Sequence, residues 1–220
     1  MSKINLKIKI PKDIMLLLGL AVFLNLIRIL LFQNTTFIYL FWNLFLALVP
    51  FLLSSILFLN TKSHQLGRPM FLIGFLFWFI FLPNAPYILT DFIHLGRISG
   101  VPVMFDIFVI FSTAYVSLLL GLHSLFQIEK ILKLKFSKET SNAIITVVIL
   151  FASFGIYLGR YLRFNSWDIF VSHNSLMSNI WKIFSQANNY VNVYLYTLLF
   201  FIFLSISFLA FKYNQNDKLK

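Results

Sequence analysis

Residues 71–96 read FLIGFLFWFIFLPNAPYILTDFIHLG, and the way this stretch is read decides the fold. Its first half is an unbroken apolar run. Pro83 then interrupts it, and Asn84, Tyr87, Thr90, Asp91 and His94 follow within a few positions. The helical residues 70–82 would rise roughly 20 Å, short of a hydrocarbon core of roughly 30 Å. The spacing therefore predicts a membrane helix broken at Leu82–Pro83. It restarts at Asn84 as N-cap, with Pro86 in the first turn, and stops at Gly96.

Similar apolar runs recur along the chain. Of the 220 residues 60% are hydrophobic, with a mean hydropathy of +0.86, against about 45–50% apolar for a soluble domain. The expected fold class is all-α: a polytopic membrane protein of six helices, forming a single integral membrane domain over 1–220. The spans fall at about 14–32, 37–59, 70–90, 102–126, 141–162 and 191–211. The basic N-terminal end resembles a secretory leader, but its apolar stretch is too long and no small-residue cleavage site follows. It reads as an uncleaved first span.

There is no cysteine, which excludes disulfides and thiolate chemistry. The net charge of +11 follows loops rather than a nucleic-acid surface, so nucleic-acid binding is rejected. Lys3, Lys7, Lys9, Lys12, Lys62, Arg68, Lys130, Lys133, Lys135, Lys138, Lys212, Lys218 and Lys220 fall on one side of the six spans. Arg97, Arg160, Arg163 and Lys182 fall on the other. The positive-inside rule then places both termini in the cytoplasm. In the last outer loop Ile169, Phe170, Leu176, Met177, Ile180, Trp181 and Phe184 recur at helical spacing. This predicts an amphipathic helix over about 167–186 on the outer membrane face, or capping the bundle.

Wound as an α-helix, Asn84, Tyr87, Asp91 and His94 fall within about 80° of one another and form one polar stripe. Other polar groups share its level. Arg28 lies near the outer end of span one, with Asn25 a turn deeper on the same face. A charge there snorkels outward or has a partner. Asn43 shares a face of span two with Tyr39 and reads as an interhelical hydrogen-bonder. Asp106 opens span four, above a track of Thr113, Ser117 and Ser124 that reads as close-packing residues. Span five ends with Gly155 and Gly159, then Arg160, Arg163, Asn165, Trp167 and Asp168. Two arginines one turn apart suit a phosphate or carboxylate, or pair with Asp91, Asp106 or Asp168 as structural glue. The other half of the bilayer offers only His123.

FLPNAPYILTDFIHL, LGRYLRFNSWD and FWNLFLALVP also resemble the signature stretches of a bacterial membrane family, the domain of unknown function 1361. The resemblance covers roughly 20–210. It implies a multi-span protein of the bacterial plasma membrane and carries no activity or site residues with it.

Three functions are compatible with these residues. The first is an enzyme or binding protein for an anionic, lipid-linked ligand at the outer leaflet. Arg160 and Arg163, helped by Arg28, would hold the anion, and Asp91 with His94 would serve as an acid–base pair. Asn84, Tyr87, Asn165, Trp167, Asp168 and Asp106 complete the expected site. A metal is not expected, though Asp91, His94 and Asp106 (or Asp168) offer an alternative ligand set, to which His173 could add. The second function is a transporter or ion pathway along span four. The third is a non-catalytic assembly partner or sensor. Any cofactor and the oligomeric state stay open at this level.

Overall fold

The computed structural model describes residues 10–62, 67–96, 100–186 and 190–217. Among them there is no strand. Six helical segments are long and apolar enough to cross a membrane: Lys12–Phe32, Tyr39–Thr61, Arg68–His94, Val103–Lys135, Lys138–Tyr161 and Val191–Gln215. These match the six expected spans. The chain divides into two compact units, Met1–Lys135 and Phe136–Lys220. Lys3, Lys7, Lys9, Arg97, Lys218 and Lys220, which entered the charge argument, lie outside the described residues.

In the first unit, α1 (Lys12–Phe32) and α2 (Tyr39–Lys62) precede a segmented third span. That span comprises α3 (Arg68–Phe81), the one-turn α4 (Asn84–Tyr87) and a 3₁₀ helix, Ile88–His94. α5 (Val103–Lys135) is the central helix, packed by α1, α2, α4 and the 3₁₀ helix. Polarity is inverted relative to a soluble protein. α1 buries Ile14, Ala21, Asn25 and Arg28 on one seam, while Leu16 and Leu30 stand three-quarters exposed. A seam of small and polar side chains with leucines outward is what a helix surrounded by lipid requires. The protein is thus a multi-pass membrane protein.

α3 ends at Phe81 and the helix restarts at Asn84, the break that the sequence predicts at Leu82–Pro83. Leu82 and Pro83 keep right-handed backbone angles, and Tyr87 N–H donates to Pro83 O at 3.1 Å. Pro86 has no N–H to give Leu82 O, so Ala85 N–H takes that carbonyl instead, at 3.1 Å. Phe81 O would then be orphaned, and the Asn84 side-chain amide donates to it at 2.9 Å. Asn84 is therefore not an N-cap. The N–H groups a cap would accept are missing at Pro86 and already used at Tyr87. Beyond Tyr87 the chain tightens into the 3₁₀ form rather than continuing as α-helix.

α5 also runs nine residues past the expected end of its span, through Gln127–Lys135. Lys130 and Lys133 share one face of this stretch, and Ile128, Ile131 and Leu132 are buried on the other. Gly121 lets α4 approach α5 closely. A Cβ at Gly121 would lie 2.9 Å from Ala85 Cβ, which is fixed to its backbone. Gly121→Ala is expected to destabilise the unit by about 1–3 kcal/mol. Adding Ala85→Gly should recover part of the loss. Melting curves in detergent would read both, and an unchanged single variant would show that α4 is free to move off.

In the second unit α6 (Lys138–Tyr161) packs along α9 (Val191–Asp217), and α7 (Asp168–Val171) leads into α8 (His173–Ser185). The Ser137 hydroxyl accepts from Thr140 N–H and caps α6. Ile145, Val148, Ile149, Ala152 and Ile156 form its buried stripe. α8 has three edges. Leu176 and Ile183 are buried, Met177, Trp181 and Phe184 are exposed, and Ser175, Ser178 and Lys182 form a polar row. Phe184 leans on Phe154 of α6, and the Tyr194 hydroxyl of α9 donates to Ile183 O at 3.1 Å.

Candidate functional site

The first unit holds two polar clusters near the 33–38 turn. Arg28 is fully buried, and its Nε donates to Asp106 Oδ1 at 2.7 Å. Nη1 donates to Asn34 O at 3.1 Å and Asn34 Oδ1 at 3.3 Å, and the Phe37 ring lies 4.2 Å from the guanidinium carbon. Asn34 Oδ1 also accepts from Thr36 N–H. One turn deeper, Asn25 donates to Thr113 Oγ1 at 3.1 Å. Arg28 thus neither snorkels nor reaches outward, and Asp106 is not open to a metal or a substrate. Asn34 is the partner the sequence reading missed. It lies in a short turn with no periodicity to mark it.

The second cluster faces α2. In a 3₁₀ helix side chains three apart eclipse, so Ile88, Asp91 and His94 form one row and Tyr87 with Thr90 another. The expected stripe of four is therefore split, with Tyr87 off the Asp91–His94 row and Asn84 turned to Phe81 O. Asp91 is buried and accepts from Asn43 Nδ2 at 3.3 Å. The His94 ring meets the Tyr39 ring edge-on, with centroids 6.1 Å apart. Tyr39 and Asn43 are one turn apart on α2, so two stacked residues of one helix meet two of the other. The interhelical role expected of Asn43 is the one observed. Among the described residues no three His, Asp or Glu side chains gather to hold a metal, so the grouping of Asp91, His94 and Asp106 does not form.

The polar track on α5 is a packing seam. Ser124 accepts from the buried Trp78 Nε1 at 2.7 Å, and Thr113 is bonded to Asn25. All three track residues, Ser117 included, are fully buried. Toward Lys135 the unit is more polar than the sequence reading allowed. Ser54 Oγ donates to Gln127 Oε1 at 2.6 Å, and the buried Glu129 pairs with Lys133 at 2.8 Å. Polar groups are therefore not confined to one end. Glu129 was hidden because its stretch of lysines reads as a loop.

In the second unit, α6 ends at an unusual turn. Arg160 is in its last helical turn, and Arg163 adopts a left-handed backbone with φ of 58°. Phe164 N–H returns to Leu158 O at 3.2 Å. Asp168 Oδ2 accepts from Asn165 N–H at 2.6 Å, the reach-back of an acidic side chain that fastens a helix start. Trp167 is half-buried and opens α7. Arg163 is exposed, and its side chain makes no ion pair or hydrogen bond among the described residues. His173 is exposed on α8. Beside the arginines, Tyr157 and Tyr161 stack at 4.8 Å, and Tyr196 of α9 joins Tyr161 at 5.0 Å. The sequence reading missed these tyrosines. The pair in YLGRY, four apart, is the signal that marks them.

A family model described as protein of unknown function (DUF1361) matches residues 42–211. The match takes in Asp91, His94, Asp106, Arg160 and Arg163, and it leaves out α1 with Arg28. Nothing among curated proteins or solved structures matches the chain.

Proposed function

The chain belongs to the DUF1361 family, and from the geometry of its own residues we propose that it binds an anionic, lipid-linked ligand. The site faces the extracytoplasmic side of a bacterial plasma membrane, with both termini in the cytoplasm. The observation that carries this reading is Arg163: exposed, unpaired among the described residues, and held in a backbone conformation that costs a non-glycine residue about 1–2 kcal/mol. A structural arginine would bond a carboxylate or carbonyl oxygens, as Arg28 does, and the Arg163 side chain does neither among the described residues. The three carboxylates the sequence offered have other partners: Asp106 has Arg28, Asp168 has Asn165, and Asp91 has Asn43. Arg163 and Arg160 thus supply the forked donors that a phosphate accepts bidentately. Asn165, Trp167 and Asp168 shape the turn that presents them. α8 supports the lipid part of the reading. Its exposed Met177, Trp181 and Phe184 fit the acyl boundary and Lys182 the headgroup layer.

In the first unit Asp91 and His94, held by Asn43 and Tyr39 of α2, form an acid–base pair of their own in this reading. Arg28 and Asp106 hold the fold in this reading. The test is native mass spectrometry of the purified protein with phosphatidic acid and phosphatidylcholine. Saturable retention of the acidic lipid alone is expected. Equal retention of both would sink the anion site.

Orientation has its own test, open because the chain has no cysteine. Single cysteines at Arg163, His173 and Lys135 are labelled in intact cells with a membrane-impermeant maleimide. Arg163→Cys and His173→Cys are expected to react and Lys135→Cys to stay protected. The reverse pattern would place the arginine turn in the cytoplasm.

A further inference from the structure

We propose that the ligand held at the Arg160–Arg163 turn is a glycosylated lipid phosphate, with Tyr157, Tyr161 and Tyr196 contacting its saccharide. This rests on the anion reading above and narrows it to a substrate class.

The starting point is the ring geometry. Centroid distances are 4.8 Å for Tyr157–Tyr161, 5.0 Å for Tyr161–Tyr196 and 6.4 Å for Tyr157–Tyr196, with interplanar angles of 24°, 36° and 32°. The three centroids form a triangle, with Tyr157 and Tyr161 stacked and Tyr196 tilted against both. Here three rings gather at one place, so the cluster presents phenol edges together with the ring faces that these contacts leave open. Tyr161 and Tyr196 are 45% and 36% exposed, so the cluster is open.

The chemistry of that surface is specific. A phenol hydroxyl both donates and accepts, and the ring beside it is apolar. Adjacent hydroxyls on ring edges, with apolar faces beside them, complement a sugar, whose own hydroxyls alternate with C–H faces. The Tyr161 and Tyr196 hydroxyls bond each other and keep acceptor and donor capacity for a sugar hydroxyl, whereas a bare phosphate would leave the rings without contacts. The cationic complement is local: Arg160 lies between Tyr157 and Tyr161 in sequence, and Arg163 follows two residues later. Asp168, the acidic residue of this turn, accepts from Asn165 N–H and forms no ion pair with Arg163 among the described residues. One end of the unit therefore offers cations for phosphate and phenol edges for sugar, on a protein whose α8 carries an exposed apolar row for a lipid.

The test uses the full chain in phosphatidylcholine nanodiscs, titrated with a polyprenyl phosphate and with the same polyprenyl phosphate carrying glucose. The unmodified protein is expected to bind the glucosylated lipid about tenfold more tightly, the worth of a few hydrogen bonds. Replacing all three residues (Tyr157→Phe, Tyr161→Phe, Tyr196→Phe) keeps the rings and their stacking. It is expected to bring the two affinities together while phosphate-lipid binding persists. Tyr213→Phe, at the far end of α9, is the control and should retain the preference. Equal binding of both lipids by the unmodified protein, or a preference that survives the triple substitution, would overturn the saccharide assignment and leave the anion reading standing. Binding of neither lipid would overturn both.

Discussion

Asp106→Ala is expected to lose about 3–5 kcal/mol of stability, the cost of leaving one member of a buried ion pair alone. Arg28 is fully buried and Asp106 nearly so, and Nε and Oδ1 are 2.7 Å apart. Without the carboxylate, the guanidinium keeps only the Asn34 contacts and the Phe37 face. Water cannot replace the lost partner there without opening the α1–α5 seam. Arg28→Ala should behave alike, because it strands the carboxylate. Arg28→Lys should not rescue, since a lysine cannot serve Asp106 and Asn34 from one planar fork. The informative variant is the double replacement, Arg28→Met with Asp106→Leu. A buried pair exchanged for apolar residues of similar volume is often neutral or stabilising, so this protein should accumulate and melt near the unmodified temperature. The measurement is thermal unfolding in detergent alongside the amount of protein in the membrane. If either single variant melts normally, Arg28 and Asp106 do not depend on one another, and their role in holding α1 to α5 is refuted.

That pair also marks where sequence reading stops. Hydropathy located all six spans because lipid imposes a length and a composition on each helix separately. The same logic marked Arg28 and Asp106 as residues needing a reason, since an intramembrane charge is costly. It could not join them. They are 78 residues apart, and a helical wheel gives the face of each helix without saying which faces meet. Asn34 was invisible for a further reason: its role comes from a turn that α1 enters through a left-handed Gln33, not from any repeat. At the third span the proline signal locates the break, with α3 ending at Phe81 and α4 starting at Asn84, but not how the freed carbonyls are satisfied. Two prolines three residues apart remove donors in a pattern that Ala85 and Asn84 repair, so the break leaves no carbonyl of Phe81 or Leu82 without a donor. The tighter 3₁₀ winding then moved Tyr87 off the Asp91–His94 row. The Asp91–Asn43 and His94–Tyr39 contacts join a helix row to a face that the sequence had drawn separately.

Arg163→Gly separates a binding arginine from a structural one more sharply than any other single change. With φ of 58°, position 163 adopts the conformation that glycine takes freely after a helix end. Removing the side-chain strain should stabilise the turn by about 1 kcal/mol. The side chain forms no ion pair among the described residues whose loss would offset that gain. The variant should therefore accumulate normally and melt at the same or a slightly higher temperature. Its binding of an acidic lipid should fall roughly tenfold to a hundredfold, the range for losing hydrogen bonds to a charged group. Arg163→Lys keeps the charge but not the fork and should lie between the two. Titration of phosphatidic acid in nanodiscs, with melting measured on the same preparations, reads both quantities. A Gly variant that melts well below the unmodified protein would make Arg163 a structural residue. One that is stable and binds acidic lipid unchanged would leave the exposed guanidinium without a ligand, and the anion site would have to be sought elsewhere in the chain.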